Sequence, residues 1–462
     1  MKKALSLIVS MAIACPAAAF TVGAQQTSAI TAVKIVEHGT YELEDGSTMQ
    51  YTIDEFDNVS VGGYKGSGGD VVLPTEINGK AVKKISGFAF YGCEDMTSVT
   101  FPETVESIAY SAFTGCSGLT SVKIPDGVKE ISHSVFKDCT SLQSVELPDS
   151  INYIDYEAFE NCTDLSSVNI PDGVEYVMAD AFKNTKWYDD QPDGMIVIGK
   201  TVYKYKGTMP DNTSITIPDG TMLISGDAFA GCSGMTEISI PEGVERIENN
   251  AFSGCSGLTS ITLPDSFADI GHNVFEGCTG LTSVTIPEKV RSFGYGIFKN
   301  CTGLTDVNLP SQLISITQNT FEGCTSLRSI TLPDGMTDII DEGFKDCTEL
   351  TEITIPASVR FFGENVFANH NDNLTIYGYK NSEAEKYAKD NNIRFVALND
   401  DGSKPVTTTA KATTTAKTTT TKATTTSKSN SPKTGDSGAA GIAAIGMAAA
   451  LLSAAAYKKR KD

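Results

Sequence analysis

Apolar residues return at a fixed interval of 23 positions along most of the chain. In the unit from Leu119 to Cys139, Val122 and Ile124 alternate with polar residues, which predicts a short strand with one buried side. Pro125 ends this strand because proline cannot donate a ladder hydrogen bond, and the following Asp-Gly pair favours a turn. The remaining apolar positions of the unit predict a second buried edge and the closure of the coil: Val128, Ile131, Phe136 and Cys139.

A repeat of this length is typical of a solenoid, because one unit cannot bury its apolar side alone and successive units must stack. We therefore predict a β-rich solenoid of about twelve 23-residue rungs, where a rung is one coil of the chain. Segment 25–90 is expected to form an N-terminal cap and first rung, and 91–375 the regular solenoid. Segment 376–402 is expected to cap the C-terminal end.

The repeating pattern L-x-x-V-x-I-P-x-x-V-x-x-I-x-x-x-A-F-x-G-C resembles the leucine-rich repeats of BspA-type bacterial surface proteins, over about residues 40–396. This resemblance implies a leucine-rich-repeat fold. It also implies adhesion to host matrix proteins, host cells or other bacteria.

The rhythm is disturbed once, near the middle of the array. Cys162 and Cys232 are 70 residues apart instead of the 69 that three regular units require. The segment between them holds Trp187, the only tryptophan. We expect irregular rungs over 185–231 that bulge from the stack.

Both ends of the chain carry targeting patterns. Residues 1–24 have two lysines, an apolar run and small residues before the expected cleavage point, which is typical of a secretory signal peptide. Segment 403–431 is almost entirely Thr, Lys, Ala and Ser, a composition that cannot bury a core and predicts a disordered, wall-spanning linker. Segment 432–462 holds an apolar stretch long enough to cross a bilayer, followed by a basic cluster.

The C-terminal pattern also resembles the L-P-x-T-G sorting signal of Gram-positive wall proteins, with Ser431 in place of the leucine. The resemblance implies that a sortase cuts between Thr434 and Gly435 and joins Thr434 to peptidoglycan. The membrane span would then be transient, and the protein would be anchored to the cell wall on its extracellular side. A permanent membrane anchor is the alternative.

The net charge of the chain and the motifs that it lacks exclude several classes of function. The formal net charge is −21, and such an acidic chain repels phosphate backbones, so we expect no nucleic-acid partner. The four histidines complete no nucleophile–base set, and no phosphate loop or metal-ligand motif is present. We therefore predict a protein that is not an enzyme and needs no metal or cofactor.

Ten cysteines follow the 23-residue period. They form no C-x₂₋₄-C pair of the kind that binds zinc. Disulfides form in secreted proteins, but equivalent Cβ atoms of stacked rungs lie slightly too far apart for a bond. We favour a ladder of buried thiols over disulfides: Cys93, Cys116, Cys139, Cys162, Cys232, Cys255, Cys278, Cys301, Cys324 and Cys347.

Rings recur at equivalent positions after the second buried edge, so stacking should align them on one side of the solenoid. This candidate ligand-binding stripe comprises Tyr110, His133, Tyr153, Tyr156, Tyr176, His272 and Tyr295. Aromatic side chains are favoured anchors for binding, although stacked rings can also serve only to stabilise a turn. We expect an adhesin for host matrix protein, surface glycan or another bacterial surface; the alternatives are a structural wall component without a ligand and a polysaccharide-capture module.

Overall fold

The structure, a computed structural model, describes residues 33–405. The predicted signal peptide, nearly all of the linker and the sorting signal with Thr434 and Gly435 lie outside this range. In the described part of the chain, no helix is long and apolar enough to cross a membrane.

The N-terminal segment begins with an antiparallel meander and then enters the coil. Its strands are β1 (Ile35–Glu42), β2 (Thr48–Asp54), β3 (Val59–Lys65), β4 (Gly69–Val72), β5 (Glu76–Ile77) and β6 (Lys80–Ile85). Strand β2 pairs antiparallel with β1 and β3, and β3 pairs parallel with β6. The segment therefore turns an antiparallel sheet into the parallel ladders of the solenoid.

The regular rungs contribute one longer and one shorter strand in alternation, except that no shorter strand follows Ser283–Thr285. Before the irregular region these are β7 (Met96–Thr100), β8 (Ser107–Ile108), β9 (Ser121–Lys123), β10 (Glu130–Ile131), β11 (Ser144–Glu146), β12 (Tyr153–Ile154), β13 (Ser167–Asn169) and β14 (Tyr176–Val177). The irregular region holds α1 (Lys186–Asp189), β15 (Gly194–Ile198) and β16 (Thr201–Lys206).

The second half repeats the same alternation. Its strands are β17 (Thr213–Thr216), β18 (Leu223–Ile224), β19 (Met235–Ser239), β20 (Arg246–Ile247), β21 (Ser260–Thr262), β22 (Asp269–Ile270), β23 (Ser283–Thr285), β24 (Asp306–Asn308), β25 (Ser315–Ile316), β26 (Ser329–Thr331), β27 (Asp338–Ile339), β28 (Glu352–Thr354), β29 (Phe361–Phe362) and β30 (Thr375–Gly378). Helix α2 (Glu383–Asp390) and β31 (Arg394–Ala397) follow.

Equivalent residues of successive rungs pair in register, so the sequence period becomes the period of the sheet. Val122, Val145 and Val168 are direct partners in the first ladder, which contains the longer strands. Ile131 and Ile154 are partners in the second ladder. The predicted β-solenoid is confirmed, with about 15 turns spaced by about 23 residues. It has more turns than the twelve expected because end segments without the full motif also coil.

The core is built around a file of phenylalanine rings, one per regular rung. Phe113 stacks on Phe90 at 4.9 Å between ring centroids, and Phe136 stacks on Phe113 at 5.4 Å. A similar file runs from Phe229 to Phe367. The residue before each cysteine has a positive φ, as at Gly115 and Asn161, which explains why Gly, Asn or Asp occupies that position in every unit.

The C-terminal end is covered by α2. Ser382 caps this helix by accepting a hydrogen bond from Glu385 N. Ala384 and Ala388 are buried against the last rungs, and Tyr387 stacks on Phe362 at 4.4 Å. The helix therefore shields the apolar end of the stack, and β31 completes the first ladder.

Candidate recognition surface

Five of the seven residues of the predicted stripe lie at the corner that follows the second ladder, whereas Tyr153 and Tyr176 lie in its strands β12 and β14. The chain turns there through a left-handed residue in each regular rung, with φ between 52° and 65°. Polar residues or glycine occupy nearly all of these positions: Ser111, Ser134, Glu157, Asp180, Asp227, Asn250, Asn273, Gly296, Asn319, Glu342 and Asn365. Phe88 is the exception, with φ of 58°. A bulky residue in this region is a true outlier, and such outliers cluster at functional sites.

Phe88 belongs to a cluster of exposed rings, which we call the aromatic patch: Phe88, Tyr91 and Tyr110. Their side chains are 51%, 60% and 54% exposed. The Phe88 ring meets the Tyr110 ring edge-on at 5.2 Å and the Tyr91 ring at 5.7 Å. The absence of a side chain at Gly87 leaves space for the Tyr110 ring, because a Cβ atom at Gly87 would lie 3.1 Å from Tyr110 Cζ.

Sequence reasoning included Tyr110 in the stripe but missed Phe88 and Tyr91. The signal was present in the repeat itself, since phenylalanine stands at position 88 where the other units carry polar residues or glycine. His133 is exposed in the rung after Tyr110. In residues 33–405 its ring makes no aromatic contact with Tyr110 or Tyr156, so the stripe is interrupted here.

The next three stripe residues are half-buried and make intramolecular contacts. Tyr153 and Tyr176 are strand partners whose rings lie 6.1 Å apart. The Tyr156 hydroxyl donates a short hydrogen bond to Glu248 Oε2, 92 residues further along the chain. These tyrosines lie where the two halves of the solenoid meet, which we call the seam.

Glu248 is the buried acid of the seam, with 2% of its surface exposed. Its Oε1 atom forms an ion pair with Arg246 Nε at 2.5 Å. Burial raises the pKa of Glu248, while Arg246 and the Tyr156 hydroxyl act in the opposite direction. Burial likewise raises the pKa of the Tyr156 hydroxyl.

The seam exists because the irregular rung does not turn at this corner. Strand β16 runs straight on from the second ladder, so the rungs before and after it come together. Ala179 contacts Gly226, where an added Cβ atom would lie only 2.9 Å from Ala179 Cβ. The hydrophobic core divides at this point into two clusters, one ending at Tyr203 and the other beginning at Val202.

The last two stripe residues form an isolated pair. The rings of His272 and Tyr295 stack at 3.6 Å, and Tyr295 N donates to His272 Nδ1 at 2.9 Å. Burial lowers the pKa of His272. Tyr295 is 49% exposed. The predicted stripe is thus divided into four parts rather than one continuous surface: Tyr110 in the aromatic patch, His133 alone, the three tyrosines of the seam and the His272–Tyr295 pair.

All ten cysteines of the ladder are free thiols, and all except the half-buried Cys93 are buried. Eight of them donate from Sγ to the carbonyl of a phenylalanine 26 residues earlier, as Cys116 does to Phe90 at 3.1 Å. Thr185, at the position where the period places a cysteine, donates instead to Phe182 of its own rung and caps α1. It therefore starts a helix rather than replacing a thiol of the ladder.

Within residues 33–405, no group of three or more His, Cys, Asp or Glu side chains is arranged to hold a metal ion.

These features define the class of the protein as a β-solenoid of leucine-rich repeats. The model of the BspA type leucine rich repeat region matches residues 83–208, 196–311 and 292–393. Because these matches span well over half of the chain, the protein belongs to the BspA-type leucine-rich repeat family.

Several solved structures are similar to this chain. A leucine-rich repeat protein from Bacteroides ovatus is 27% identical, with a TM-score of 0.37, over 78% of this chain and 100% of that one. A leucine rich cell surface protein from Faecalibacterium prausnitzii is 24% identical, with a TM-score of 0.32, over 76% and 97% of the two chains. The pneumococcal vaccine antigen PcpA is 18% identical, with a TM-score of 0.39, over 78% and 99%. No curated protein sequence matches the chain.

Proposed function

We propose that this protein is an adhesin displayed on the cell surface, which binds a host matrix protein, a surface glycan or another bacterial surface through the aromatic patch. The observation that carries the proposal is Phe88, a bulky residue kept in a left-handed conformation with its ring exposed against Tyr110. Left-handed backbone costs an ordinary residue about 1–2 kcal/mol, and an exposed ring recovers little of this by burial. Binding supplies a reason to retain it, since aromatic anchors dominate interface energetics.

Display at the surface is supported by the family and by the two ends of the sequence. Membership of the BspA-type leucine-rich repeat family supports display on a bacterial surface. Residues 1–24 and Ser431–Gly435 support export and sortase attachment to peptidoglycan, with the cut between Thr434 and Gly435. We propose no catalytic role, no cofactor and no nucleic-acid partner, because the motifs and the acidic charge favour none of them.

The test is adhesion of bacteria that display the full chain to surfaces coated with matrix proteins, mucin or bacterial wall material. The patch variant carries Phe88→Asn, Tyr91→Thr and Tyr110→Asn, which are residues that other rungs hold at the same positions, such as Asn250, Thr114 and Asn249. The control is Tyr295→Asn, an exposed tyrosine of the same column in the other half. Both variants must be displayed in equal amounts.

We expect the patch variant to lose adhesion to one coating while the control retains it. Equal adhesion by the patch variant would rule out the patch as the binding site. Absence of adhesion to every coating, together with a wall defect in cells that lack the protein, would favour a structural wall component. Adhesion to glycan coatings alone would favour polysaccharide capture.

A further inference from the structure

The irregular rung lacks a strand in the first ladder. Strand β13 is the last of one sheet and β17 is the first of the next, and in residues 33–405 no backbone hydrogen bond joins β13 to a later strand. Where a regular rung has Val168 and Ile170, the irregular one has Gln191 and Asp193 on either side of Pro192. A polar segment with proline cannot form a buried strand, so α1 and β15 occupy this side instead.

The missing strand leaves an open cleft between β13 and β15. Its volume is about 480 Å³, which is in the range of sites for small ligands. The lining mixes apolar and polar side chains, among them Ile170, Asp172, Trp187, Gln191, Val197 and Lys200. Such a mixed lining suits a small ligand that has both an apolar face and hydroxyl groups.

Trp187 is held rigidly in this cleft. Its ring packs on the buried Phe182 ring at 4.5 Å, at the end of the first phenylalanine file. Its backbone N–H donates to Leu165 O at 2.6 Å, and its carbonyl accepts from Gln191 Nε2 at 3.0 Å. The side chain remains partly exposed. A fixed, partly exposed indole offers an apolar platform at little further entropy cost.

The polar groups of the cleft favour a neutral ligand that donates hydrogen bonds. Asp172 is exposed and its carboxylate accepts no hydrogen bond from residues 33–405, and Gln191 keeps its Oε1 atom free. The ammonium of Lys200 is paired with Glu175 at 2.7 Å. Asp172 disfavours an anion, the Lys200–Glu175 pair adds no net charge, and hydroxyl groups can donate to both free acceptors.

We infer that this cleft binds a neutral sugar unit, with a C–H face of the pyranose ring on Trp187 and its hydroxyls donating to Asp172 and Gln191. The inference does not rest on the aromatic patch, which lies in other rungs. It concerns a second site, and either site can fail its test without the other.

Trp187 is the only tryptophan in the chain, so tryptophan fluorescence reports on this cleft alone. The full chain, kept in a detergent without a sugar headgroup, is titrated with the methyl glycosides of glucose, galactose, mannose and N-acetylglucosamine. We expect a saturable change with at least one of them. Asp172→Ala and Gln191→Ala should each weaken that binding by about 10-fold, the effect of one lost hydrogen bond of this kind.

The matched control is Asp149→Ala, which removes the equivalent exposed aspartate one rung earlier and outside the cleft. It should bind sugar like the wild type, as should the patch variant. The inference is overturned if no glycoside changes the fluorescence. It is also overturned if Asp172→Ala and Gln191→Ala both bind the glycoside as tightly as the wild type does. A stronger response to galacturonate or to trimethyl-lysine than to every neutral sugar would also overturn it.

Discussion

The Tyr156 hydroxyl and the Glu248 carboxylate are hydrogen-bonded across four units of the repeat. The contact joins the last rungs of one hydrophobic cluster to the first rungs of the next. In a regular stack, residues that far apart in rung number would be separated by several strand spacings of about 4.8 Å. The irregular rung removes this separation at one corner, so the pair fastens the two halves of the core to each other.

Replacing Tyr156 by phenylalanine should destabilise the protein by about 1–3 kcal/mol, because Glu248 would lose its hydrogen-bond donor while remaining buried. Urea denaturation measures this change. If the seam couples the two halves, the variant should also unfold less cooperatively, since a solenoid is stabilised by contacts between neighbouring rungs.

The matched control is Tyr295→Phe, which removes a hydroxyl from a half-exposed ring. It should leave the unfolding midpoint unchanged within about 0.5 kcal/mol. Equal effects of the two substitutions would show that the bond to Glu248 contributes nothing specific.

The seam should also give the protein a pH-dependent stability. Burial raises the pKa of Glu248, with Arg246, Tyr156, Asp155 and Asp269 as its charged or polar neighbours. A raised native pKa means that the folded state holds its proton more tightly than the unfolded state. The contribution of Glu248 is therefore greatest below its unfolded pKa and is lost as the pH rises through its native pKa.

Glu248→Gln keeps an acceptor for Tyr156 but cannot titrate. The stability of the wild type relative to this variant should fall as the pH is raised from about 4 to neutrality. Paired urea titrations at several pH values measure the difference and cancel the effect of the other acidic groups, including Asp155, whose pKa is also raised by burial. A constant or rising difference would contradict the prediction.

Much of the fold can be predicted from the sequence because the same local pattern of residues recurs in every regular unit. The alternation at Val122 and Ile124, the proline after them and the glycine, asparagine or aspartate before each cysteine all recur in register. The Tyr156–Glu248 contact does not follow, since it depends on the path of β16 through a rung that breaks the repeat. The sequence pointed to the irregular region through Trp187 and the extra residue, but it could not show that a missing strand leaves a cleft there.

The aromatic patch offers a direct test between binding and turn stabilisation. If Phe88 served only the turn, Phe88→Asn would destabilise the protein. We expect instead unchanged stability or a gain of up to about 1 kcal/mol, because asparagine tolerates the left-handed backbone and the lost ring contacts are exposed.

The reverse substitution in the other half, Asn250→Phe, provides the comparison. It places a phenylalanine at an equivalent left-handed position, where φ is 57°, and should lower the free energy of unfolding by about 1–2 kcal/mol. A marked loss of stability in Phe88→Asn would support a structural role for the patch.

The cysteines of the thiol ladder should react only slowly with thiol reagents while the protein is folded. Burial raises the pKa of Cys301 and of Cys347 to about 12 and that of Cys93 to about 11, so thiolate is scarce at neutral pH. Among the ten ladder cysteines, Cys93 is the one that is only half-buried, and it should react first with a thiol reagent. Mass spectrometry after brief alkylation should find slow labelling at Cys93, faster as the pH rises, and rapid labelling of the other nine only in denaturant.

Since no disulfide links these residues, a reductant should leave the melting temperature unchanged. A lowered melting temperature would show that rungs are cross-linked.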